Sequence, residues 1–223
     1  MLLNKMINLN LNNPKVDIKI SKDLVDYNVA VAFMEKRVEQ IILGHENELI
    51  WFLEHPPLYT KGTSAKESDL LNPNLFPIYE ANRGGQYTYH GPGQRIIYVM
   101  LNLKNHAQDV RRFVQFLENW VIQSFQKIGI DAFIVPNRIG VWVNTKEGTE
   151  AKIAAIGIRL RKWISYHGIA ININPNLEHF NAIVPCGIKD YGVTSLVSLG
   201  HNFSMQAIDK MMIDTFYDLR VNT

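Results

Sequence analysis

The chain is poor in cysteine, in charge of one sign and in long apolar runs, and each shortage removes a class of function. A single thiol, Cys186, in 223 residues cannot close an internal disulfide. The fold therefore needs no covalent staple and fits a reducing compartment. The formal net charge is only +2, without the basic excess of a nucleic-acid-binding domain. No stretch approaches the roughly 20 apolar residues of a membrane span. The first fifteen residues are too polar for the core of a signal peptide, so the expected location is the cytoplasm. Asn202-Phe203-Ser204 matches a glycosylation acceptor, which without a secretion signal reads as coincidence. Repeats and low-complexity tracts are missing too, and no linker divides the sequence, so one domain over residues 1–223 is expected, with a monomer as the default.

What is present is a hydrophobic fraction of 47% against 20% charged, the balance of a chain that can bury a large core. Helical periodicity marks residues 21–43, with Tyr27, Val31, Met34, Val38 and Ile41 on one stripe. It marks 108–128 as well, where Val110, Phe113, Leu117, Val121 and Ile128 share a face and Gly129 supplies a stop. A third helix opens at Ser204, a good N-cap, and buries Ile208, Met211, Met212 and Leu219. Short β-like runs fall at 48–53, 95–103, 131–135, 138–143, 152–160 and 164–173. The last two read as a hairpin turning near Arg161-Lys162. Long loops remain at 54–80, 82–94 and 174–200, and loops of that length tend to carry function. Helices and strands do not alternate strictly, so the expected class is α+β: a mixed sheet with packed helices.

Four segments carry candidate chemistry. In Arg83-Gly84-Gly85-Gln86-Tyr87-Thr88-Tyr89-His90-Gly91-Pro92-Gly93-Gln94 the glycines let backbone approach a ligand, while a cation and an imidazole stand among them. No G-K-[ST] follows, so it is not a nucleotide P-loop; a tight turn between strands accounts for the glycines alone. In Lys152-Ile153-Ala154-Ala155-Ile156-Gly157-Ile158, strand alternation puts Lys152 in line with Ala154, Ile156 and Ile158. Such a lysine is either a snorkelling strand-end residue or a desolvated functional amine. His167-Gly168 sits in the next strand, where a structural histidine is the plainer reading. In Val184-Pro185-Cys186-Gly187, proline fixes the backbone before the thiol and glycine frees it afterwards. That presents Cys186 from a turn, although free cysteines are commonly buried apolar residues. No histidine or cysteine pair has metal-ligand spacing, and no metal or other cofactor is expected.

Taken in order, these segments resemble the lipoyl(octanoyl) transferases. The resemblance rests on Arg83-Gly-Gly-x-x-Thr88-Tyr-His90-Gly91-Pro-Gly-Gln94, Gly140-Val-Trp-Val143, Lys152-Ile-Ala-Ala-Ile-Gly157, His167-Gly168 with Asn172, and Pro185-Cys186-Gly187. The segment His55-Pro-Pro-Leu-Tyr-Thr60 also fits. It runs over about residues 48–200; Val184 departs from it, since the family more often has Asn before Pro-Cys-Gly. The resemblance implies the fold of the biotin and lipoate protein ligases. It also implies transfer of an octanoyl group from octanoyl-acyl carrier protein to a lysine on lipoyl domains of 2-oxoacid dehydrogenases and on the glycine-cleavage H protein. By the same resemblance Cys186 is the nucleophile that carries the acyl group as a thioester, and Lys152 is its partner. The acyl-chain contacts fall on Arg83, Gly84, Gly85, Gln86, Tyr87, Thr88, Tyr89 and His90, on Ala155, Ile156 and Gly157, and on His167, Gly168 and Ile169. Two alternatives stand beside it: an ATP-dependent lipoate or biotin ligase on the same fold, and a non-catalytic acyl-binding protein in which Cys186 is structural.

Overall fold

The computed structural model describes residues 15–105, 108–184 and 192–221. Cys186 lies outside the described residues.

Alternating Val16, Ile18 and Ile20 form the first described strand, β1 (Val16–Leu24), paired in parallel with β2 (Glu48–Glu54). The helical reading of 21–43 is corrected here: residues 21–24 belong to β1, and α1 runs Tyr27–Leu43. The true start is set by Asp26, whose side chain accepts from the Val29 N–H at 3.1 Å, an N-cap bond that satisfies an otherwise orphaned donor. After β2 come β3 (Leu58–Lys61), β4 (Ile78–Glu80) and β5 (Tyr87–His90), which form a separate three-stranded sheet in the order β4-β3-β5. The expected loops at 54–80 and 82–94 thus contain strands of only three or four residues, too short to show a period among prolines and glycines.

β6 (Gln94–Met100), α2 (Val110–Gln126), β7 (Ala132–Val135), β8 (Arg138–Asn144), β9 (Glu150–Arg161), β10 (Ile164–Asn172), β11 (Gly192–Val193) and α3 (Met205–Val221) complete the chain. Among the described residues the main sheet runs β1-β2-β6-β10-β9-β8-β7, with β11 added on β9. It is mixed, as expected: β1–β2 and β9–β11 are parallel, the rest antiparallel. The expected hairpin is β9–β10. Arg161 pairs with Ile164, and Lys162 (φ 48°) and Trp163 (φ 69°) make the two-residue turn, whose positive φ angles match the twist of the strands.

The sheet is covered on both faces. α2 and α3 pack on one, around Phe113, Trp120, Phe125, Met212 and Phe216, and the Trp120 indole N–H donates to the Met212 carbonyl at 2.8 Å. α1 covers the other with Ala30, Met34 and Val38. β10, between β6 and β9, is buried along its whole length, which makes it the rigid floor on which a site can be built. The Ser204 hydroxyl caps α3 through the Ala207 N–H at 3.2 Å. No described helix is long and apolar enough to cross a membrane.

Glu48, at the start of β2, is only 3% exposed; one carboxyl oxygen accepts from the Asn102 N–H at 2.8 Å and the other has no hydrogen-bond partner. Burial pushes this carboxyl from 4.5 up to about 7. The folded protein holds the Glu48 proton more tightly than the unfolded chain does. The resulting stability is full below the unfolded value and is lost as pH rises through about 7. Glu48→Gln keeps the acceptor for Asn102 and removes the charge. Thermal melts should show the variant gaining stability over wild type from about pH 5 to about pH 8, by on the order of 2–3 kcal/mol at the upper end. Parallel Tm curves for the two proteins would show that Glu48 does not titrate in this range.

Candidate functional site

A cavity of about 560 Å³, counting its open mouth, lies where the small sheet meets β6, β9 and β10. Its rim comes from the loop before β5. The Arg83 guanidinium is 8% exposed and faces inward on this loop. Nη2 donates to the Thr60 hydroxyl at 2.6 Å, and Nη1 donates to the carbonyls of Gly84 at 2.9 Å and Gln86 at 3.1 Å. Arg83 therefore pins the glycine loop to β3, and the Gly84 N–H donates to the Ile158 carbonyl of β9 at 3.2 Å. Two further glycines make room for this. A Cβ on Gly62 would stand 2.2 Å from the Gly85 carbonyl oxygen, and one on Gly157 would stand 2.8 Å from Arg83 Cδ. Real Cβ atoms do not approach that closely, so these positions are glycine for packing reasons.

The floor is aromatic and neutral, and its Tyr98 is bonded to a histidine that does not itself line the cavity. His55, fully buried, meets the Val25 carbonyl through Nδ1 at 2.6 Å and the Tyr98 hydroxyl through Nε2 at 2.8 Å. A carbonyl can only accept, so Nδ1 carries the proton and Nε2 accepts from Tyr98. His90 is arranged alike: its Nδ1 faces the Gln94 side-chain oxygen at 2.6 Å. Burial, with the neighbouring His55 adding to it, lowers His90 to about 3. Burial and then the Arg83 charge lower His167 to about 3, and burial lowers His55 as well. Burial holds Tyr27 up at about 12 and Tyr98 well above its usual value. At neutral pH these five rings are uncharged, so an apolar chain entering the cavity meets no ion on the four that line it, Tyr27, His90, Tyr98 and His167.

Of the expected chain-binding residues, Arg83 through Thr88, His90, Ala155 through Gly157 and His167 through Ile169 all line this cavity. Tyr89 does not. Tyr89 turns into a separate cluster with Tyr59 and Phe180, its hydroxyl 2.9 Å from His179 Nδ1. Tyr27, Ile96, Tyr98 and Ala170 also line it without having been singled out. Tyr98 carried a signal, as the one polar-tipped side chain in the run Ile96-Ile97-Tyr98-Val99-Met100.

Lys152 is not part of the cavity wall. It lies three residues before Ala155 on β9, about 10 Å along the strand at 3.3 Å per residue. It is 7% exposed, and its ammonium donates to the Ile139 carbonyl at 2.9 Å and lies 4.9 Å from the centre of the Trp142 ring. Glu118 of α2, buried beneath it, accepts from the Gly140 N–H at 3.0 Å; burial raises this carboxyl, against the opposing pull of the Lys152 charge. β10 pairs with β9 only as far as Ala154. The edge left at Ala151 and Lys152 is taken by β11, with Gly192 opposite Ala151 and Val193 opposite Lys152. The described chain thus resumes, after the segment that contains Cys186, directly beside Lys152.

Gly140 makes the lysine channel. Its φ is 122°, and a Cβ there would stand 2.7 Å from the Ala154 carbonyl oxygen and 3.2 Å from Lys152 Cε. Gly140→Ala should therefore lower stability by about 1–3 kcal/mol, read as a fall in Tm by calorimetry. An unchanged Tm would mean that the strands yield without cost and that Gly140 does not hold the Lys152 stem.

Comparison with known proteins gives one consistent result. Residues 26–217 match the family model for the lipoyl protein ligase A/B catalytic domain. An octanoyltransferase of Maricaulis maris is 57% identical over 88% of each chain. One of Ehrlichia chaffeensis is 52% identical over 93% of this chain and 97% of its own. Among solved structures, a lipoate-protein ligase A bound with ATP superposes with a TM-score of 0.67 at 15% identity, covering 91% of this chain and 85% of the other. A bi-partite lipoate protein ligase from Thermoplasma acidophilum gives 0.66 at 14%, covering 92% and 84%. The fold is thus that of the lipoate-protein ligases, and the chain belongs to the lipoyl protein ligase A/B catalytic domain family.

Proposed function

We propose that this chain is a cytoplasmic octanoyltransferase, a single catalytic domain that moves an octanoyl group from octanoyl-acyl carrier protein to a lysine of a lipoyl domain through a thioester on Cys186. The observation that carries the reading is that one strand, β9, supplies both Lys152 and the cavity wall at Ala155, Ile156 and Gly157, while β11 returns the chain beside Lys152 only six residues after Cys186. Relatives named octanoyltransferase at 52–57% identity support it, against 14–15% for the ligases.

The chemistry follows from the surroundings. An octanoyl chain has about seven apolar carbons beyond its carbonyl, and burying them at roughly 0.8 kcal/mol each supplies on the order of 5 kcal/mol of binding. A free thiol is mostly protonated at neutral pH, and an adjacent ammonium favours the thiolate. Cys186 as thiolate attacks the carbonyl carbon of the donor thioester; the new C–S bond forms, the old one breaks, and the carrier sulfur leaves as a thiol with the proton given up by the Lys152 ammonium. In the second half the substrate lysine attacks the acyl-enzyme. Lys152, unprotonated at that point, takes the proton that lysine sheds, and the proton then passes to the departing Cys186 sulfur. Because the donor is already a thioester, the reaction asks for no nucleotide. Arg159, Arg161 and Lys162 stand exposed around the β9–β10 turn, where they attract acidic carrier or lipoyl domains by steering.

Intact-mass measurement after incubation with octanoyl-acyl carrier protein should show one octanoyl group on the wild type and none on Cys186→Ala, with transfer to a lipoyl domain lost. Lys152→Ala is expected to slow transfer by about 100-fold or more near neutral pH while the protein stays folded. Wild-type transfer by Cys186→Ala would end the thioester reading, and a clear thermal shift with ATP and magnesium would favour a ligase.

A further inference from the structure

Outside the cavity, the described residues hold a buried run of side chains that joins the slot to the lysine strand. Nδ1–H of His90 donates to the Gln94 side-chain oxygen at 2.6 Å. The Gln94 amide N–H donates to Asn172 Oδ1 at 2.9 Å, and the Asn172 amide N–H donates to the Thr194 carbonyl at 3.0 Å. The Thr194 N–H in turn donates to the carbonyl of Lys152 at 3.0 Å. All five residues are at most 8% exposed. The bonds from His90 to the Thr194 carbonyl point the same way, so the Gln94 and Asn172 amides, each accepting at its oxygen and donating at its nitrogen, polarise one another. Gln94 and Asn172 also face each other in register across β6 and β10, which fixes the amide-to-amide step by backbone pairing.

We propose that Gln94 and Asn172 are positioning residues that hold His90 in one tautomer toward the slot and hold the returning chain at β11 against Lys152. The inference rests on the octanoyl-transfer reading for its kinetic consequence. Two things follow from the direction of the bonds. With Nδ1 protonated and bonded to Gln94, His90 keeps Nε2 as an acceptor. With Asn172 holding Thr194, the register of β11 on β9 is set by a side chain as well as by its short ladder. The slot and the amine are then parts of one rigid unit, and misplacement of about 1 Å at such a unit is enough to slow a reaction about 100-fold.

The test uses the full chain carrying near-isosteric apolar changes. Nitrogen-15 spectra should show His90 of the wild type as the Nδ1–H tautomer and show Gln94→Met shifted toward Nε2–H. Asn172→Leu should keep the tautomer but lose hydrogen-exchange protection at the Thr194 amide. Each variant should lower kcat for acyl transfer by at least about 10-fold with KM for the donor within about twofold, and the double variant should be no slower than the worse single one. Should Gln94→Met not fold, Gln94→Glu keeps the acceptor for His90 but has no donor for Asn172, and it should retain the tautomer and lose rate. An Nε2–H tautomer in the wild type, folded variants working at the wild-type rate, or an effect confined to KM would each overturn the proposal. A wild type that accepts no acyl group would instead count against octanoyl transfer itself, because the tautomer and exchange readouts do not depend on it.

Discussion

The pairing of β9 with different partners along its length is the constraint on which the rest depends. From Arg161 to Ala154 the strand is held by β10, and its middle residues wall the cavity. Past Ala154 the same edge passes to β11, which anchors the returning chain at Ala151 and Lys152. A strand is stiff, so the amine and the slot keep a fixed separation without any loop between them. Gly140, Gly157 and Gly62 give this strand and its neighbours space for large side chains to lie where Cβ atoms would collide. The glycines here are matters of clearance more than of flexibility.

The second consequence is electrostatic. Buried ionisable rings are costly unless they are neutral or paired. His55, His90, His167, Tyr27 and Tyr98 meet this condition by remaining uncharged, and Arg83 meets it by donating to the glycine loop and Thr60. An apolar slot lined by polar-tipped rings is thereby made compatible with a fatty chain. In the proposed reaction the charged chemistry lies along β9 at Lys152, whose ammonium donates to the Ile139 carbonyl, lies 4.9 Å from the centre of the Trp142 ring and acts electrostatically on Glu118.

Much of this was legible in the sequence, and the exceptions have physical causes. The long helices showed because a 17-residue helix repeats its apolar stripe four or five times; Phe113, Leu117 and Val121 were placed correctly on this ground. β1 is hidden in the sequence because its polar end runs almost into the first turn of α1, and only Val25 and Asp26 separate the two periods. β3, β4 and β5 were too short to carry a period. The cavity walls at Arg83–His90 and at Ala155–Gly157 were read from motifs. Tyr89 departs from that run because Tyr59, Phe180 and His179 hold its ring and hydroxyl, contacts from distant elements that no local motif announces. Tyr27 and Tyr98 come from distant elements that only tertiary packing brings to the floor. Nothing in the local sequence sets Glu118 apart, because its burial beside Gly140 depends on how α2 packs against β8.

The central claim is that the thiol of Cys186 and the amine of Lys152 meet at the open end of the slot. A crystal structure of the octanoyl-loaded protein measures this directly. The account predicts the thioester sulfur within about 4 Å of Lys152 Nζ, with the acyl chain lying between the Arg83–His90 loop and Ala155–Gly157. An acyl chain bound elsewhere, or a sulfur about 8 Å or more from that amine with no polar bridge between them, would contradict it.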